Sequence, residues 1–334
     1  MDAALSRAAV ESMHATVQPG YGSADILRFE TVDRPKAGDD EVLVRVHAAG
    51  ICKGDVHILT GKPWLLRLAY GLRRPGQRIP GQQMAGTVEA FGRNVTGLRV
   101  GDEVYGQVTG AFSEYVVARA DVLAPKPASL SFEEAAAMPV SGMTALQGLR
   151  DVGRVQPGQA VLINGASGGV GTFAIQVAKA LGAEVTAVCS TRHLEKVRSL
   201  GADRVIDYTK EDFAASDRRH DVMLDLVGNR SLTDCRRVLA PKGIFVSSAG
   251  SPGGDWIGPV VWMGKVALMN AFASQTLTSF MQKVRREDLM ALNELVEAGK
   301  LKPVIERQFP LREAASALRH IAEGHAQGTT VIRA

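Results

Sequence analysis

A run of glycines offers the most specific chemistry in this sequence. Residues 161–171 read VLINGASGGVG, and the apolar stretch TFAIQVAKALG follows almost directly. Gly168 would let the backbone approach a diphosphate, and Gly171 would let the following helix pack closely on the preceding strand. The positive end of that helix would face the diphosphate charge. Because one strand precedes the glycines and another follows at the expected distance, the segment predicts a dinucleotide site beginning at Ala166.

The end of the second strand indicates which dinucleotide binds. Sites for NAD carry an acidic residue about 20 residues after the glycines, where it accepts a hydrogen bond from the ribose 2′-hydroxyl. Here the predicted strand 184–189 leads into Ser190, Thr191 and Arg192, and no acid stands among them. A guanidinium is well suited to a phosphate. The sequence therefore favours NADPH; the alternative is that Arg192 is a solvated residue at the start of a helix.

Cys52, in the segment GICKGD, raises the question of a zinc site, since thiolate is a common zinc ligand. A catalytic zinc needs two further protein ligands. The later segment PGQQM offers only Gln82, a poor ligand, and residues 140–144 contain no thiol. We therefore expect no metal, and we assign Cys52, Asp55 and Gln82 to a substrate cleft.

Other catalytic classes lack their defining residues. The sequence has no Gly-x-Ser-x-Gly elbow of a hydrolase and no HExxH pair of histidines. None of the tyrosines has a lysine four residues later, which excludes a short-chain dehydrogenase. A basic cluster surrounds Tyr70 and could contact nucleic acid or an acidic substrate, or form a solvated loop. Its members are Arg67, Arg73, Arg74 and Arg78.

Length and composition bound the class of protein. The chain has 334 residues, 46% hydrophobic and 22% charged, which predicts about two globular domains. A net charge of +4 is too small to argue for nucleic acid. Three dispersed cysteines cannot form a disulfide framework, so we expect a reducing, cytoplasmic setting. No apolar run has the length of a membrane span, so we expect no membrane partner, and we expect residues 1–12 to form a flexible extension.

Two kinds of secondary structure must position these residues. Up to about residue 125, short strands alternate with glycine-rich turns, which is typical of a compact β-barrel. A helix is predicted from Ser131 to Leu149, because Ser131 and Glu134 have the spacing of a capping box. From residue 159 onward, strands alternate with helices in the rhythm of a doubly wound parallel sheet. The strands predicted in this part and at the chain end are 160–164, 184–189, 204–206, 222–226, 243–248 and 329–333.

From about Met13 to its end, the chain resembles the medium-chain dehydrogenase/reductase superfamily, in the zinc-free quinone oxidoreductase and zeta-crystallin branch. The motifs that carry the resemblance are PGxxxAG at 80–86, VGDxV at 100–104, the glycine segment 158–171 with Gln176 and Lys179, LGAD at 200–203 with IDY at 206–208, and DxVG at 225–228. The resemblance implies an α/β protein with two domains. A GroES-like β-barrel catalytic domain would comprise residues 13–129 and 300–334, and a Rossmann doubly wound parallel sheet domain residues 130–299.

The resemblance also implies contacts to the diphosphate, the 2′-phosphate and the nicotinamide of the cofactor. In that order they are Gly168, Gly169 and Val170; Ser190, Arg192 and Tyr208; and Thr144 and Ser248. Zinc-dependent relatives carry Cys, His and Cys where this chain has Cys52, Gln82 and Val140. Some relatives also carry lysine where residues 328–330 read GTT.

The reaction expected of such a protein is NADPH-dependent hydride transfer to a quinone or an α,β-unsaturated carbonyl, without zinc. Lys53 and Tyr70 are the candidates to stabilise the carbonyl oxygen or to deliver the final proton. A noncatalytic NADPH-binding or RNA-binding role, as in zeta-crystallin relatives, is the alternative. The weakly charged segment Gln275–Val284 predicts an edge strand that joins two copies into a homodimer.

Overall fold

Three sheets hold the strands of the part of the chain that the computed structural model describes, which is residues 11–248, 258–324 and 327–334. Residues 1–10 of the predicted extension lie outside this part. The strands are β1 Ser12–Val17, β2 Arg28–Asp33, β3 Glu41–Ile51, β4 Gln83–Phe91, β5 Glu103–Gln107, β6 Tyr115–Arg119, β7 Leu123–Pro125, β8 Ala160–Asn164, β9 Glu184–Cys189, β10 Arg204–Asp207, β11 His220–Asp225, β12 Leu239–Ser247, β13 Thr276–Ser279, β14 Ile305–Pro310 and β15 Thr329–Arg333. The helices are α1 Lys53–Thr60, α2 Arg67–Tyr70, α3 Phe132–Ala136, α4 Pro139–Leu146, α5 Gly169–Ala180, α6 Leu194–Ser199, α7 Leu232–Arg237, α8 Gly258–Ala271, α9 Arg286–Glu297 and α10 Ala314–Ala322.

Six parallel strands form one sheet, in the order β10-β9-β8-β11-β12-β13. Counted along this part of the chain, that is the 3-2-1-4-5-6 order of dinucleotide-binding folds. Val161, Leu162 and Ile163 of β8 are fully buried, as expected of a strand covered by helices on both faces. The strand order reverses between β8 and β11, so a crevice opens at the carboxyl ends of these two strands.

A second, mostly antiparallel sheet has seven strands and is built by two separate parts of the chain. Its long strand β3 pairs with β4, β6 and β15. Because β15 pairs with β3, residues 305–333 complete a sheet that residues 41–125 begin. The predicted α/β class, a GroES-like barrel combined with a doubly wound parallel sheet, is confirmed.

The helix predicted from Ser131 to Leu149 is divided in the structure. Ser131 caps α3 as its spacing indicates, and its hydroxyl accepts a hydrogen bond from the Glu134 backbone N–H at 3.2 Å. However, α3 ends at Ala136, and Pro139 begins α4. Proline has no N–H to continue a helix, but it fits the first turn of a new one.

Buried polar contacts join the two domains. The Tyr105 hydroxyl, from β5, lies 2.9 Å from the carbonyl oxygen of Leu289 and 2.6 Å from Oδ1 of Asn293, both on α9. Asn293 in turn donates a hydrogen bond to the carbonyl oxygen of Pro125 at 2.9 Å. Because Tyr105 is fully buried, these contacts hold the barrel against the parallel-sheet domain without access of solvent.

The predicted edge strand lies where expected. Within Gln275–Val284, β13 pairs with β12 and is the last strand of the parallel sheet. The side chain of Leu277 is buried in the core of its own domain, whereas Met281 is exposed. Leu277 therefore offers no contact to a second copy, and the homodimer itself stays a prediction.

Candidate active site

The crevice between β8 and β11 is lined by polar side chains at the two strand ends. Asn164 donates a hydrogen bond from Nδ2 to Oδ1 of Asp225 at 2.9 Å. The same carboxylate oxygen accepts the backbone N–H groups of Val227 and Gly228 at 3.1 and 3.0 Å. Asp225 therefore holds the turn after β11 closed against the end of β8, and it shapes the crevice in which such folds bind a dinucleotide.

Two glycines where the β8–α5 loop meets the helix have different tasks: Gly168 caps α5, and Gly171 is the third residue of α5. A Cβ atom on Gly171 would lie 2.2 Å from the carbonyl oxygen of Gly165, so only glycine lets the helix pack against the loop here. A Cβ on Gly168 would meet only that same oxygen, at 3.6 Å. The space beside Gly168 is thus open toward the amino end of α5, whose first N–H groups have no partner within the helix. This arrangement fits a diphosphate.

Hydroxyl groups from distant parts of the chain surround the same loop. The Oγ1 atoms of Thr329 and Thr330 are buried and have no hydrogen-bond partner among the described residues. A Cβ on Gly169 would lie 3.6 Å from Thr329 Oγ1 and 3.2 Å from Ser141 Oγ. A buried polar group without a partner costs about 1–3 kcal/mol, so the Thr329 hydroxyl fits a phosphate oxygen. It occupies the region where the resemblance implied lysine in some relatives.

Arg192 and Tyr208 lie at the carboxyl ends of neighbouring strands. Tyr208, after β10, donates its backbone N–H to the carbonyl oxygen of Cys189 at 3.1 Å. Arg192 is exposed, and its side chain makes no ion pair or hydrogen bond within the described ranges. The structure thus brings together three of the residues predicted for the 2′-phosphate, because Ser190 follows Cys189 directly.

Asp207 is a carboxylate that sequence reasoning missed at this corner. It ends β10, pairs with Cys189 and accepts hydrogen bonds from the Thr191 and Thr209 side chains. These bonds, that from Thr191 first, lower the pKa of the Asp207 carboxyl. Residues 190–192 contain no acid, but Asp207 places a carboxylate beside them at the carboxyl end of the neighbouring strand. Since parallel strands end at the same edge, the pairing of β9 with β10 was the signal that could have revealed it.

Of the two residues predicted beside the nicotinamide, Thr144 lies on α4 and Ser248 follows β12. Thr144 is buried in α4 and donates its hydroxyl to the carbonyl oxygen of Val140 at 2.7 Å. Ser248 directly follows β12, and its backbone N–H donates to the carbonyl oxygen of Asp225 at 3.1 Å. Ser248 therefore lies at the same sheet edge as the glycine loop, whereas no described contact joins Thr144 to Ser248.

Cys52, Asp55 and Gln82, the residues assigned to a substrate cleft, form one cluster. Asp55 is buried and accepts the backbone N–H of Cys52 at 2.8 Å. The amide nitrogen of Gln82 lies 3.4 Å from Oδ1 of Asp55 and 3.5 Å from Sγ of Cys52. Asp55 thereby orients both Cys52, at the start of α1, and Gln82, which precedes β4.

The residues of this cluster do not fit a zinc ion. Cys52 Sγ faces an amide N–H rather than a second ligand atom. Burial, followed by the neighbouring Asp55 charge, raises the pKa of the Cys52 thiol, which opposes the thiolate that zinc binds. Among residues 11–248, 258–324 and 327–334, no group of three or more His, Cys, Asp or Glu side chains could hold a metal.

Burial of Asp55 makes stability depend on pH in a defined direction. Burial raises the pKa of this carboxyl from 3.8 to about 6. Between these values the native state retains a proton that the unfolded chain releases, so stability falls as pH rises through this window. Relative to Asp55→Asn, the wild-type free energy of unfolding is expected to fall by about 2 kcal/mol between pH 4.5 and 7.5.

Urea unfolding of both proteins at the two pH values measures this difference. Asp33→Asn is a matched control, because Asp33 is an exposed carboxylate at the end of β2. A difference between wild type and Asp55→Asn that stays constant with pH would contradict a raised pKa for Asp55.

The proposed proton donors stand apart from the cluster. Lys53 is exposed at the start of α1, and Tyr70 is exposed at the end of α2. Within the described residues, neither side chain makes a hydrogen bond to Cys52, Asp55 or Gln82. Their assignment as catalytic groups stays a prediction.

Comparison with known proteins agrees with this architecture. Residues 38–128 match the family model "Alcohol dehydrogenase GroES-like domain", and residues 200–332 match the model "Zinc-binding dehydrogenase". The NAD(P)H oxidoreductase RTN4IP1, mitochondrial, of Bos taurus is 36% identical over 96% of this chain and 90% of that protein. The chloroplastic NADPH-dependent alkenal/one oxidoreductase of Arabidopsis thaliana is 31% identical over 96% of this chain and 80% of that protein.

Solved structures are similar over the whole fold. The quinone oxidoreductase from Coxiella burnetii is 30% identical, with a TM-score of 0.86 over 97% of this chain and 100% of that chain. The overall fold of this chain therefore recurs in that protein. By sequence and by fold, the chain belongs to the quinone oxidoreductase branch of the medium-chain dehydrogenase/reductase superfamily.

Proposed function

We propose that the protein is an NADPH-dependent reductase of quinones or α,β-unsaturated carbonyls that works without zinc. The observation that carries the proposal is the pairing of two sites. One is a glycine loop with open space for a diphosphate and a free guanidinium nearby. The other is a cleft cluster in which an amide replaces a metal ligand.

The preference for NADPH is supported by charge at the end of β9. Arg192 is exposed and has no counter-ion among the described residues, so its guanidinium is available to a 2′-phosphate. The nearby Asp207 carboxylate already accepts hydrogen bonds from Thr191 and Thr209. Because these protein hydroxyls already occupy the Asp207 carboxylate, it does not need a ribose 2′-hydroxyl as a partner. Asp207 is therefore not a free acid of the kind that selects NADH.

The choice of acceptor follows from what the cleft lacks. The cofactor, when bound, supplies a hydride. Without a metal, the charge that develops on a carbonyl oxygen needs hydrogen-bond donors or water. In this cleft the Gln82 amide nitrogen already faces Asp55 and Cys52, and Lys53 at the start of α1 is the cation nearby in the chain. Such a cation suits conjugated carbonyls and quinones, because hydride addition to them leaves a negative charge delocalised onto an oxygen.

The names of relatives favour a reductase over a binding protein without catalysis. A tomato relative that is 33% identical over 96% of this chain is called 2-methylene-furan-3-one reductase. A Triphysaria versicolor relative, 30% identical over the same share, is called quinone-oxidoreductase QR1. Lys53 and Tyr70 are proposed to deliver the proton that completes reduction.

A panel of acceptors tests the proposal. Purified protein is mixed with NADPH and, separately, with quinones, enones and alkenals, and cofactor absorbance is followed before and after treatment with a metal chelator. We expect turnover with at least one acceptor class, unchanged by the chelator, and no oxidation of simple alcohols with NADP⁺. Alcohol oxidation that is lost with the chelator would overturn the zinc-free assignment. Tight NADPH binding without any turnover would favour the binding protein.

Assembly and location stay proposals as well. We propose a homodimer that pairs through β13, whose outer edge carries unpaired backbone groups. The three cysteines are unpaired, which fits a reducing compartment such as the cytoplasm. Relatives are named as mitochondrial or chloroplastic, so the cytoplasm is proposed on the cysteines alone.

A further inference from the structure

The segment between α1 and β4 has its leucines facing outward. Leu65, Leu68 and Leu72 are 42%, 70% and 69% exposed. They follow one another at spacings of three and four, which places Leu65 and Leu68 on one side of the helical turns formed by residues 64–70. Single exposed leucines are ordinary, but three of them within eight residues form an exposed apolar patch of the kind that marks a binding surface.

Arg67, within these helical turns, points inward. The Arg67 guanidinium lies 4.3 Å from the centre of the Tyr21 ring and 4.0 Å from that of Trp64. Its Nε donates a hydrogen bond to the carbonyl oxygen of Gly61 at 3.1 Å. The Tyr21 hydroxyl also donates to the carbonyl oxygen of Gly71 at 2.6 Å. These contacts hold the segment with arginine toward the protein and leucines toward the outside, the reverse of an ordinary surface helix.

A positive field surrounds the outward leucines. Residues 56–88 contain no aspartate or glutamate. Arg73, Arg74 and Arg78 are exposed, and within the described part of the chain their side chains make no ion pair or hydrogen bond. The surface formed by residues 64–78 therefore combines aliphatic side chains with uncompensated cations.

We propose that the surface of residues 64–78 binds the interface of an anionic phospholipid bilayer. The leucines would enter the region between headgroups and acyl chains, while the arginines would bind lipid phosphates. A second copy of the chain fits less well, because a two-fold contact would bring the same cations face to face. Single-stranded RNA also fits less well, because bases stack on aromatic rings and the two rings of this surface, Trp64 at 39% and Tyr70 at 42%, are less exposed than Leu68 and Leu72.

Binding at the interface differs from crossing the membrane. Among the described helices, none has the length and hydropathy to span a bilayer. The expectation of no membrane partner rested on the absence of a span, and a surface that lies on the bilayer is a separate feature. The proposal does not rest on the reductase activity.

Vesicle sedimentation tests the proposal on the full chain. The probes are vesicles of phosphatidylcholine alone and of phosphatidylcholine with an equal share of phosphatidylglycerol, at low and high salt. We expect binding to the anionic vesicles only, weakened by salt. The double variant Arg73→Gln with Arg74→Gln is expected to reduce the partition coefficient about 10- to 30-fold. Leu68→Ser with Leu72→Ser is expected to reduce it at least about tenfold.

Matched controls use equally exposed residues elsewhere. Phe272→Ser with Met281→Ser removes side chains that are 83% and 79% exposed, and Arg307→Gln with Arg333→Gln removes two exposed arginines of β14 and β15. Both control pairs are expected to bind vesicles as the wild type does. Circular dichroism and NADPH affinity verify that every variant is folded.

Four results would overturn the proposal. They are a wild type that ignores anionic vesicles at low salt, a leucine variant that binds as strongly as the wild type, a 20-nucleotide RNA that binds more tightly than the vesicles, and a dimer seen by light scattering that only the leucine variant loses. The last result would assign the surface to a second copy. Because sedimentation needs no turnover, a failure of the reductase assay leaves this result readable.

Discussion

Gly168→Ala is expected to leave the fold intact and to weaken NADPH binding about 100-fold, whereas Gly171→Ala is expected to damage the fold itself. A Cβ on Gly168 finds free space on the protein side, and the residue already has φ −77° and ψ 176°, which alanine adopts readily. That methyl group would occupy the space through which a diphosphate approaches the backbone. A loss of about 2.7 kcal/mol in binding corresponds to the expected factor of 100.

The Gly171 variant fails for a different reason. Its Cβ would lie 2.2 Å from the Gly165 carbonyl oxygen and 2.6 Å from the carbonyl carbon of Ala166, so backbone rather than a flexible side chain must move. We expect the free energy of unfolding to fall by about 3 kcal/mol. NADPH affinity should fall as well, because the displaced loop is the one that would hold the diphosphate.

Urea unfolding and titration of cofactor fluorescence separate the two effects. Gly264→Ala is the control, because a Cβ on this exposed residue of α8 meets nothing within 4 Å. It should leave both the free energy of unfolding and the cofactor affinity close to those of the wild type. If Gly168→Ala binds NADPH normally, the diphosphate does not lie against this loop, and the cofactor proposal loses its main support.

The parallel-sheet domain could be predicted closely because its strands are buried on both faces. The bounds of β8 and β9 agree with the predicted strands 160–164 and 184–189. Such strands read as continuous β-branched and aliphatic runs between turns, so the sequence alone delimits them. β14 was missed, since Ile305–Pro310 is half-buried to exposed along its length and carries charged residues.

The residues that surround the glycine loop were harder to predict from the sequence than the loop itself. The glycine loop is contiguous in sequence, and so its residues were predicted together. Thr329 reaches the loop only because β15 pairs with β3, and Asp207 reaches Thr191 only because β10 pairs with β9. Local patterns carry no record of such pairings, which depend on the tertiary fold.

Arg192→Ala is expected to raise the dissociation constant for NADPH about 10- to 100-fold and to leave that for NADH nearly unchanged. A charge-assisted hydrogen bond contributes about 1.5–3 kcal/mol, and NADH has no 2′-phosphate to lose. Arg192 has no counter-ion among the described residues, so its removal breaks no ion pair of the folded chain. The effect on NADPH should shrink at high salt, because the exposed guanidinium is screened.

Arg198→Ala supplies the matched comparison for this test. Arg198 belongs to the helix that follows Arg192, but it is already paired with Glu195 at 2.8 Å. Its removal should change neither cofactor affinity by more than about twofold, since exposed pairs of this kind contribute little. Each variant and the wild type are titrated with NADPH and with NADH, and the dissociation constants are compared. Equal wild-type affinity for both cofactors, or an equal loss of both in Arg192→Ala, would mean that Arg192 binds no phosphate and that the preference for NADPH must be abandoned.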